Sequence, residues 1–364
     1  MPFNKTMLTG SHQLEEGVEW VACVSCGSRE AEPVVTTPNR DPKANQNVDY
    51  QVVRCRQCGL HYQNPRPSTD RLDEFYPEHY YAYQPILPKH DRGLKAVGRR
   101  LKTWSDRGLR RAFWSYPAPG GNPQRWLLRL LLWPLWLRMR LLAKDIKIVP
   151  YVGQGRFLDV GCGTGQFLVY QRQFGLMVAG VERSRASAQF VREQLGIDAR
   201  AGTLEEVRFP ARSFDVIHMS HVFEHLPNPG ATLDEMHRIL DTGGLILLKV
   251  PNITSASAKR FGPYWLGLDL PRHFYHFDPR TITRLLEQHG FSVKTIRQDV
   301  GSWSFWRESW RFQAKETRKG LVKDPWWLAG MSKFAETVSC SLGRGSVIVV
   351  YAQKGTSERA RNQE

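Results

Sequence analysis

The sequence predicts an α/β protein with a seven-stranded, mostly parallel sheet, preceded by a small four-cysteine module. Three observations predict it. Two Cys-x-x-Cys-Gly units stand near the start, a strand runs directly into Gly-x-Gly-x-Gly near the middle, and from there short apolar runs alternate with helical patterns to the end.

The first element is the module of residues 1–66. Its units are Cys23-Val-Ser-Cys26-Gly27 and Cys55-Arg-Gln-Cys58-Gly59. Two thiolates three positions apart, with a glycine behind them, can wrap one face of a tetrahedral Zn²⁺, and a second such unit closes the site. A closed site has no open position for chemistry, so a zinc here is structural. Nothing nearby has the βαβ context of a redox dithiol. The remaining cysteines, Cys162 in a glycine loop and Cys340 among small residues, are expected to be structural. The opening MPFNKTMLTGSHQLEEG has no apolar h-region, so a cytoplasmic location is expected, with peripheral attachment at the inner face of a membrane as its variant.

The second element, residues 67–155, reads as a basic, aromatic, helical connector or lid. The formal net charge is +16, and between Lys89 and Lys147 stand 15 Lys and Arg against 3 Asp, so most of the excess is concentrated there. Such a block implies an anionic partner: a phospholipid surface, a nucleic acid or a phosphorylated substrate. Within it, Trp126 to Ala143 is strongly apolar, yet Arg129 and Arg138 bracket only eight uncharged residues around Pro134, too few to span a bilayer. The segment suits either a lid over the catalytic region or a helix in the membrane interface. A second tryptophan-rich stretch, Trp303 to Trp310 with Trp326 and Trp327, would favour the membrane if it shared that face.

The third element, residues 156–353, holds the sheet. Its strands are expected at Arg156–Val160, Met177–Glu182, Asp198–Ala201, Phe214–Met219, Gly244–Val250, Phe291–Arg297 and Ser346–Gln353. Residues 354–364 read as a polar, flexible tail. The glycines of Gly161-Cys162-Gly163-Thr164-Gly165 let the backbone turn sharply and approach a ligand without a Cβ in the way. Glu182 ends the next strand, 17 positions after Gly165, where a carboxylate can accept both hydroxyls of a ribose. A dinucleotide loop would need its last glycine at Gln166.

LDVGCGTGQFL, VAGVE, FDVIHMSHVFEHLPNP and GGLILLKVPN together resemble class I S-adenosylmethionine-dependent methyltransferases of the ubiquinone-biosynthesis O-methyltransferase-like group, over roughly Tyr151 to Gln353. Some similar bacterial members carry an amino-terminal zinc ribbon and a PRHFYHF-like segment, here Pro271 to Phe277. The resemblance implies a Rossmann-like sheet that binds S-adenosylmethionine. Asp159, Gly161, Cys162, Gly163 and Gly165 would surround its methionine moiety, Glu182 would hold the ribose, Thr203 and Leu204 would lie beside the adenine, and Ser220 and His221 would line the sulfonium side. The loop after the third strand, Gly202-Thr203-Leu204-Glu205, lacks the early Asp of the pattern.

In methyl transfer from a sulfonium the leaving group is already activated, so the enzyme aligns the acceptor and removes its proton. Histidine suits that task, and His225, His273 and His276 are the catalytic candidates near the sheet's carboxyl edge. The run His221-Val-Phe-Glu224-His225 is similar to the Glu-x-x-Glu-His of some metal-dependent methyltransferases. With His273 or His276 it would have ligand types fit for a second, divalent metal. Arg272 is a candidate for an anionic group on the acceptor. Met219-Ser220-His221-Val222 is not the Asn/Asp-Pro-Pro-aromatic signature of base N-methylation, so nucleic acid is the lesser partner. The expectation is O-methylation of a small hydroxylated acceptor such as a sugar, polyketide, quinone precursor or lipid-linked glycan. RNA methylation, or a non-catalytic zinc-ribbon or membrane-surface binding protein, is the alternative.

Overall fold

The computed structural model describes residues 17–36, 50–76, 94–117, 125–141, 148–318 and 324–355. The start through residue 16 and most of the expected tail lie outside them. At the amino-terminal end, β1 (Val18–Glu19) pairs antiparallel with β5 (Arg66–Pro67). Between them β2 (Ala31–Thr36), β3 (Gln51–Cys55) and β4 (His61–Gln63) form an antiparallel meander. Gly27 and Gly59 follow the cysteine pairs with φ of 71° and 80°, a left-handed turn that only glycine adopts without cost. Their N–H groups donate to the carbonyls of Cys23 and Cys55 and close each knuckle.

A 3-10 segment at Thr69–Phe75 leads to two helices, α1 (Leu94–Phe113) and α2 (Arg125–Leu141), which pack on each other. α1 is pinned to the sheet domain through Arg110, which is 1% exposed. Its Nη1 donates to the Tyr116 hydroxyl at 2.7 Å and to Gln171 Oε1 at 3.3 Å, and its guanidinium lies 3.8 Å from the Phe174 ring centre. A buried cation needs such partners to offset its lost hydration.

The sheet then follows in alternation with helices: β6 (Arg156–Val160), α3 (Gln166–Arg172), β7 (Met177–Glu182), α4 (Arg185–Leu195), β8 (Asp198–Ala201), α5 (Leu204–Val207), β9 (Phe214–Ser220), α6 (Pro229–Ile239), β10 (Leu240–Pro251), α7 (Ala256–Phe261). Next come β11 (Tyr275–His276), α8 (Pro279–Gln288), β12 (Phe291–Gln298), α9 (Ser304–Arg318), α10 (Leu328–Ser341) and β13 (Val347–Lys354). The strand order is β12-β13-β10-β9-β6-β7-β8, with β13 antiparallel to both neighbours. This is the predicted seven-stranded Rossmann-like sheet. β10 is longer than predicted because Leu240 already pairs with Phe214 before an irregularity in the register.

Local chemistry explains the helix starts. Ser184, Asn228 and Asp278 each accept a first-turn backbone N–H, and Pro229 and Pro279 follow the last two at the position where a missing N–H costs nothing. Phe157, Leu158, Val216, Ile217, Ile246, Leu248 and Val350 are fully buried, each contributing roughly 1.5–3 kcal/mol through removal from water.

Two arrangements were not foreseen. α9 and α10 stand between β12 and β13, where the sequence showed only a tryptophan-rich stretch. More consequentially, β11 leaves the sheet domain and pairs with β4, so the small sheet of the cysteine module runs β11-β4-β3-β2. Arg66 donates to the Tyr275 hydroxyl at 3.1 Å and to the Pro227 carbonyl at 3.0 Å, and Gln288 and Arg284 donate to the carbonyls of Ser25 and Cys58. The module is therefore built into the main body.

Candidate functional site

β6 has β7 on one side and β9 on the other, so the chain reverses its direction of progress through the sheet there, and ligands of open α/β sheets bind beyond the carboxyl ends of such strands. The glycine loop leaves β6 at this point. Gly161, Gly163 and Gly165 have φ of 76°, 52° and 77°, and a Cβ at Gly161 would stand 2.3 Å from Val222 Cγ2. Glu182, 6% exposed at the end of β7, accepts the Gly163 N–H at 2.7 Å and the Ser184 N–H at 2.9 Å, one on each carboxylate oxygen. Burial pushes its pKa up, and these backbone donors act against that. A carboxylate oxygen carries further lone pairs, so both remain able to accept a ligand hydroxyl.

The other predicted cofactor residues fall around this loop in different ways. Asp159 is buried, and its Oδ1 lies 2.7 Å from Nδ1 of His218 on the adjacent strand. Cys162 is buried, its thiol pushed up by that burial and by nearby Asp159 and Glu182, which makes it a packing residue beside Gly180. Thr203 caps α5 reciprocally with Glu206. Leu204 turns its side chain into the core, which leaves only its backbone to meet a ligand. Ser220 ends β9, and His221 follows with φ of 55°, a left-handed conformation that costs a side-chain-bearing residue energy and is found at sites that demand a fixed direction.

Past β9 the chain makes a 3-10 turn at Phe223–His225. Glu224 is fully buried. His221 Nδ1 lies 3.3 Å from its Oε1, while its Oε2 has no hydrogen-bond partner among the described residues. Burial opposes its ionisation, yet the His221 hydrogen bond and the imidazoles of His221, His225 and His273 hold the carboxyl down at about 2. His225 is half-buried; burial and then His273 push its pKa down to about 4, so it is neutral near pH 7. Its Nδ1 lies 2.8 Å from the Tyr76 hydroxyl and 3.0 Å from the Arg272 carbonyl. A carbonyl can only accept, so a proton on Nδ1 satisfies it and leaves Nε2 as the basic nitrogen.

His273 comes from the loop before β11. Its ring centre is 4.5 Å from that of His225, and its Nδ1 is 2.9 Å from the Gly267 carbonyl. One ligand atom from each of Glu224, His225 and His273 lies within 4.8 Å of the others. His276, 2% exposed, stands a further step away with its ring centre 6.3 Å from His273, opposite His61 in the β11–β4 pair. The structure thus brings His225 and His273 together and sets His276 in the seam with the cysteine module. Arg272 is held bidentately by Asp269, at 2.6 and 3.0 Å, and so serves to fix this loop. Tyr76 escaped the sequence reading, because a tyrosine in a linker carries no motif.

In the cysteine module the Cys23 and Cys58 sulfurs are 3.4 Å apart, the Cys26 and Cys55 sulfurs 3.5 Å, and all four lie within 4.8 Å of one another. Four sulfurs about a zinc at ~2.3 Å require separations of this order. Burial works to raise the Cys55 thiol, but backbone donors of its own knuckle and the neighbouring thiols bring it down to about 7.

A family model described as a methyltransferase domain matches residues 121–296. Over this stretch the chain carries a methyltransferase domain. The match begins upstream of β6 and takes in α2. Among relatives, a ubiquinone biosynthesis O-methyltransferase from Maricaulis maris is 30% identical over 157 residues, 40% of this chain and 61% of its own length. A malonyl-[acyl-carrier protein] O-methyltransferase from Yersinia pestis is 29% identical over 123 residues, 34% of this chain and 45% of its own. The chain spans about half the length of the first such relatives. A solved S-adenosylmethionine-dependent methyltransferase from Mesorhizobium loti aligns with 61% of this chain and 97% of its own at 18% identity, with a TM-score of 0.39.

Proposed function

We propose that this protein is an S-adenosylmethionine-dependent O-methyltransferase acting on a small hydroxylated acceptor, a sugar, polyketide, quinone precursor or lipid-linked glycan. The observation that carries the reading is His225, neutral and half-buried beyond the end of β9, with Nδ1 engaged by Tyr76 and the Arg272 carbonyl.

The cofactor fits the residues present. A glycine loop in three left-handed turns and a buried Glu182 tied to that loop suit the methionine and ribose ends of S-adenosylmethionine. When bound, it supplies an electrophilic methyl group on a sulfonium. His225 Nε2 takes the proton of the acceptor hydroxyl as its oxygen becomes nucleophilic, and Tyr76 fixes the ring. The four cysteines fit a structural zinc that holds the module against β11.

A second reading of the histidine cluster has one observation in its favour. The buried Glu224 Oε2, without a partner among the described residues and beside His225 and His273, completes a donor set for a divalent cation that would orient the acceptor oxygen.

The test is calorimetric titration with S-adenosylmethionine, followed by S-adenosylhomocysteine release over a panel of glycans, catechols and lipid-linked sugars, before and after EDTA. Cofactor binding with acceptor-dependent turnover supports the main reading, and loss on EDTA restored by Mg²⁺ or Mn²⁺ favours the second. A folded protein that does not bind the cofactor would overturn both.

A further inference from the structure

The α1–α2 hairpin has no part in the proposed chemistry, and its surface is unusual. α2 contains eight leucines, three tryptophans and four arginines, with no acidic residue. One side of it packs on α1: Trp136 stacks on Phe113 at 5.0 Å between ring centres, and Arg129 Nε donates to the Ala112 carbonyl at 2.8 Å. The rest faces outward. Trp126 is 60% exposed, Leu130 66%, Leu131 75% and Trp133 51%. Trp126, Leu130, Trp133 and Leu137 fall at i, i+4, i+7 and i+11, so they form one stripe, with Leu131 beside it. The lid expectation would have pressed these side chains onto the catalytic region, but they stand away from it.

Charge selects what covers such a stripe. α1 adds seven Lys and Arg to the sequence against the single Asp106, and although Arg110 among them is buried, the sequence of the hairpin is strongly cationic. A second copy of this chain would bring two such cationic hairpins together. A nucleic acid would gain from the arginines but has no use for four exposed leucines and two exposed tryptophans. An anionic phospholipid surface uses both: the indoles and leucines enter the headgroup boundary while the arginines meet phosphates. Among the described residues no helix is long and apolar enough to cross a membrane, and α2 has 17 residues with Pro134 inside. It can lie in the interface without spanning it.

We propose that the α1–α2 hairpin is an interfacial anchor that docks the protein on an anionic phospholipid bilayer. Arg110, buried against Gln171 and Phe174, couples the hairpin to the helix that follows the glycine loop, so docking fixes the orientation of the catalytic domain on the surface.

The full-length, zinc-loaded protein is sedimented with phosphatidylcholine vesicles, with or without about 30 mol% phosphatidylglycerol. Partitioning onto the anionic vesicles should be at least ~10-fold stronger and should weaken as salt is raised. Leu130→Glu/Leu131→Glu, both exposed, should abolish it while leaving circular dichroism and S-adenosylmethionine binding unchanged, which separates this test from that of the catalytic reading. Equal partitioning of that variant and the parent would overturn the proposal. So would failure to bind either vesicle, retention on an RNA duplex without vesicle binding, or a concentration-dependent dimer that the same substitutions dissolve.

Discussion

The Tyr76 hydroxyl stands 2.8 Å from Nδ1 of His225, joining the segment behind the cysteine module to the turn beyond β9. If His225 is the base, His225→Asn should lower kcat by about 10²–10⁴-fold. Tyr76→Phe keeps the ring but removes the hydroxyl that orients it, and should cost about 10-fold, as expected for one lost hydrogen bond. Both variants should bind S-adenosylmethionine as the parent does. His225→Asn turning over at the parent rate would remove His225 from the chemistry.

In the proposed reading Glu182 has two tasks, since the carboxylate that would meet the ribose also holds the Gly163 N–H. Glu182→Gln preserves the shape and an acceptor for the loop but loses the charge, and should weaken S-adenosylmethionine binding about 10–100-fold in calorimetry. Glu182→Ala should weaken it further, because the loop amide then loses its partner as well. Unchanged affinity in both variants would mean that the cofactor lies elsewhere.

The pairing of β11 with β4 ties the cysteine module to the histidines. Metal analysis should find about one zinc per chain. Cys55→Ser, or stripping with a strong chelator, should abolish turnover while leaving cofactor binding nearly intact, because β11 follows His273 and contains His276, whereas Glu182 and the glycine loop lie on the other side of β9. A stripped protein with full activity would separate the module from the site.

The centre of the sheet was legible because β6, β7, β9, β10 and β13 are largely apolar runs, unlike β8 with Asp198 and Arg200, and Glu182 was legible because its distance from the loop is set by one helix. Interactions that depend on distant chain segments meeting were not. Tyr275 and His276 stand in the PRHFYHF-like segment, and only the fold shows them pairing with Tyr62 and His61. Tyr76 meets His225 across 149 positions, a separation at which no spacing rule applies. Arg110 sits in the basic run of the connector, which reads as pointing to an anionic partner, and its burial against Phe174 follows from where α1 docks.

Arg156 and Asp215 hold the foot of the sheet, away from the site. The Asp215 carboxylate accepts the Arg156 guanidinium at 2.8 and 3.2 Å and the backbone N–H groups of Gln154 and Arg156 at 3.0 and 2.9 Å. Burial works to raise its pKa, but the hydrogen bonds and charge of Arg156 prevail and lower it below the ordinary aspartate value of 3.8. Between the lowered value and 3.8 the unfolded chain binds the proton more readily, so stability from this group is complete above about 4 and is lost as pH falls through the folded value. Asp215→Ala leaves the Arg156 side chain and two backbone donors without their acceptor and should cost about 3 kcal/mol, a fall in Tm of about 6–12 °C. Asp215→Asn should cost less at neutral pH and should flatten the loss of Tm below about pH 4 relative to the parent, because its amide does not titrate. An acid limb as steep in Asp215→Asn as in the parent would assign that limb to other carboxylates, of which Asp299, lowered beside Lys249, is the next to test.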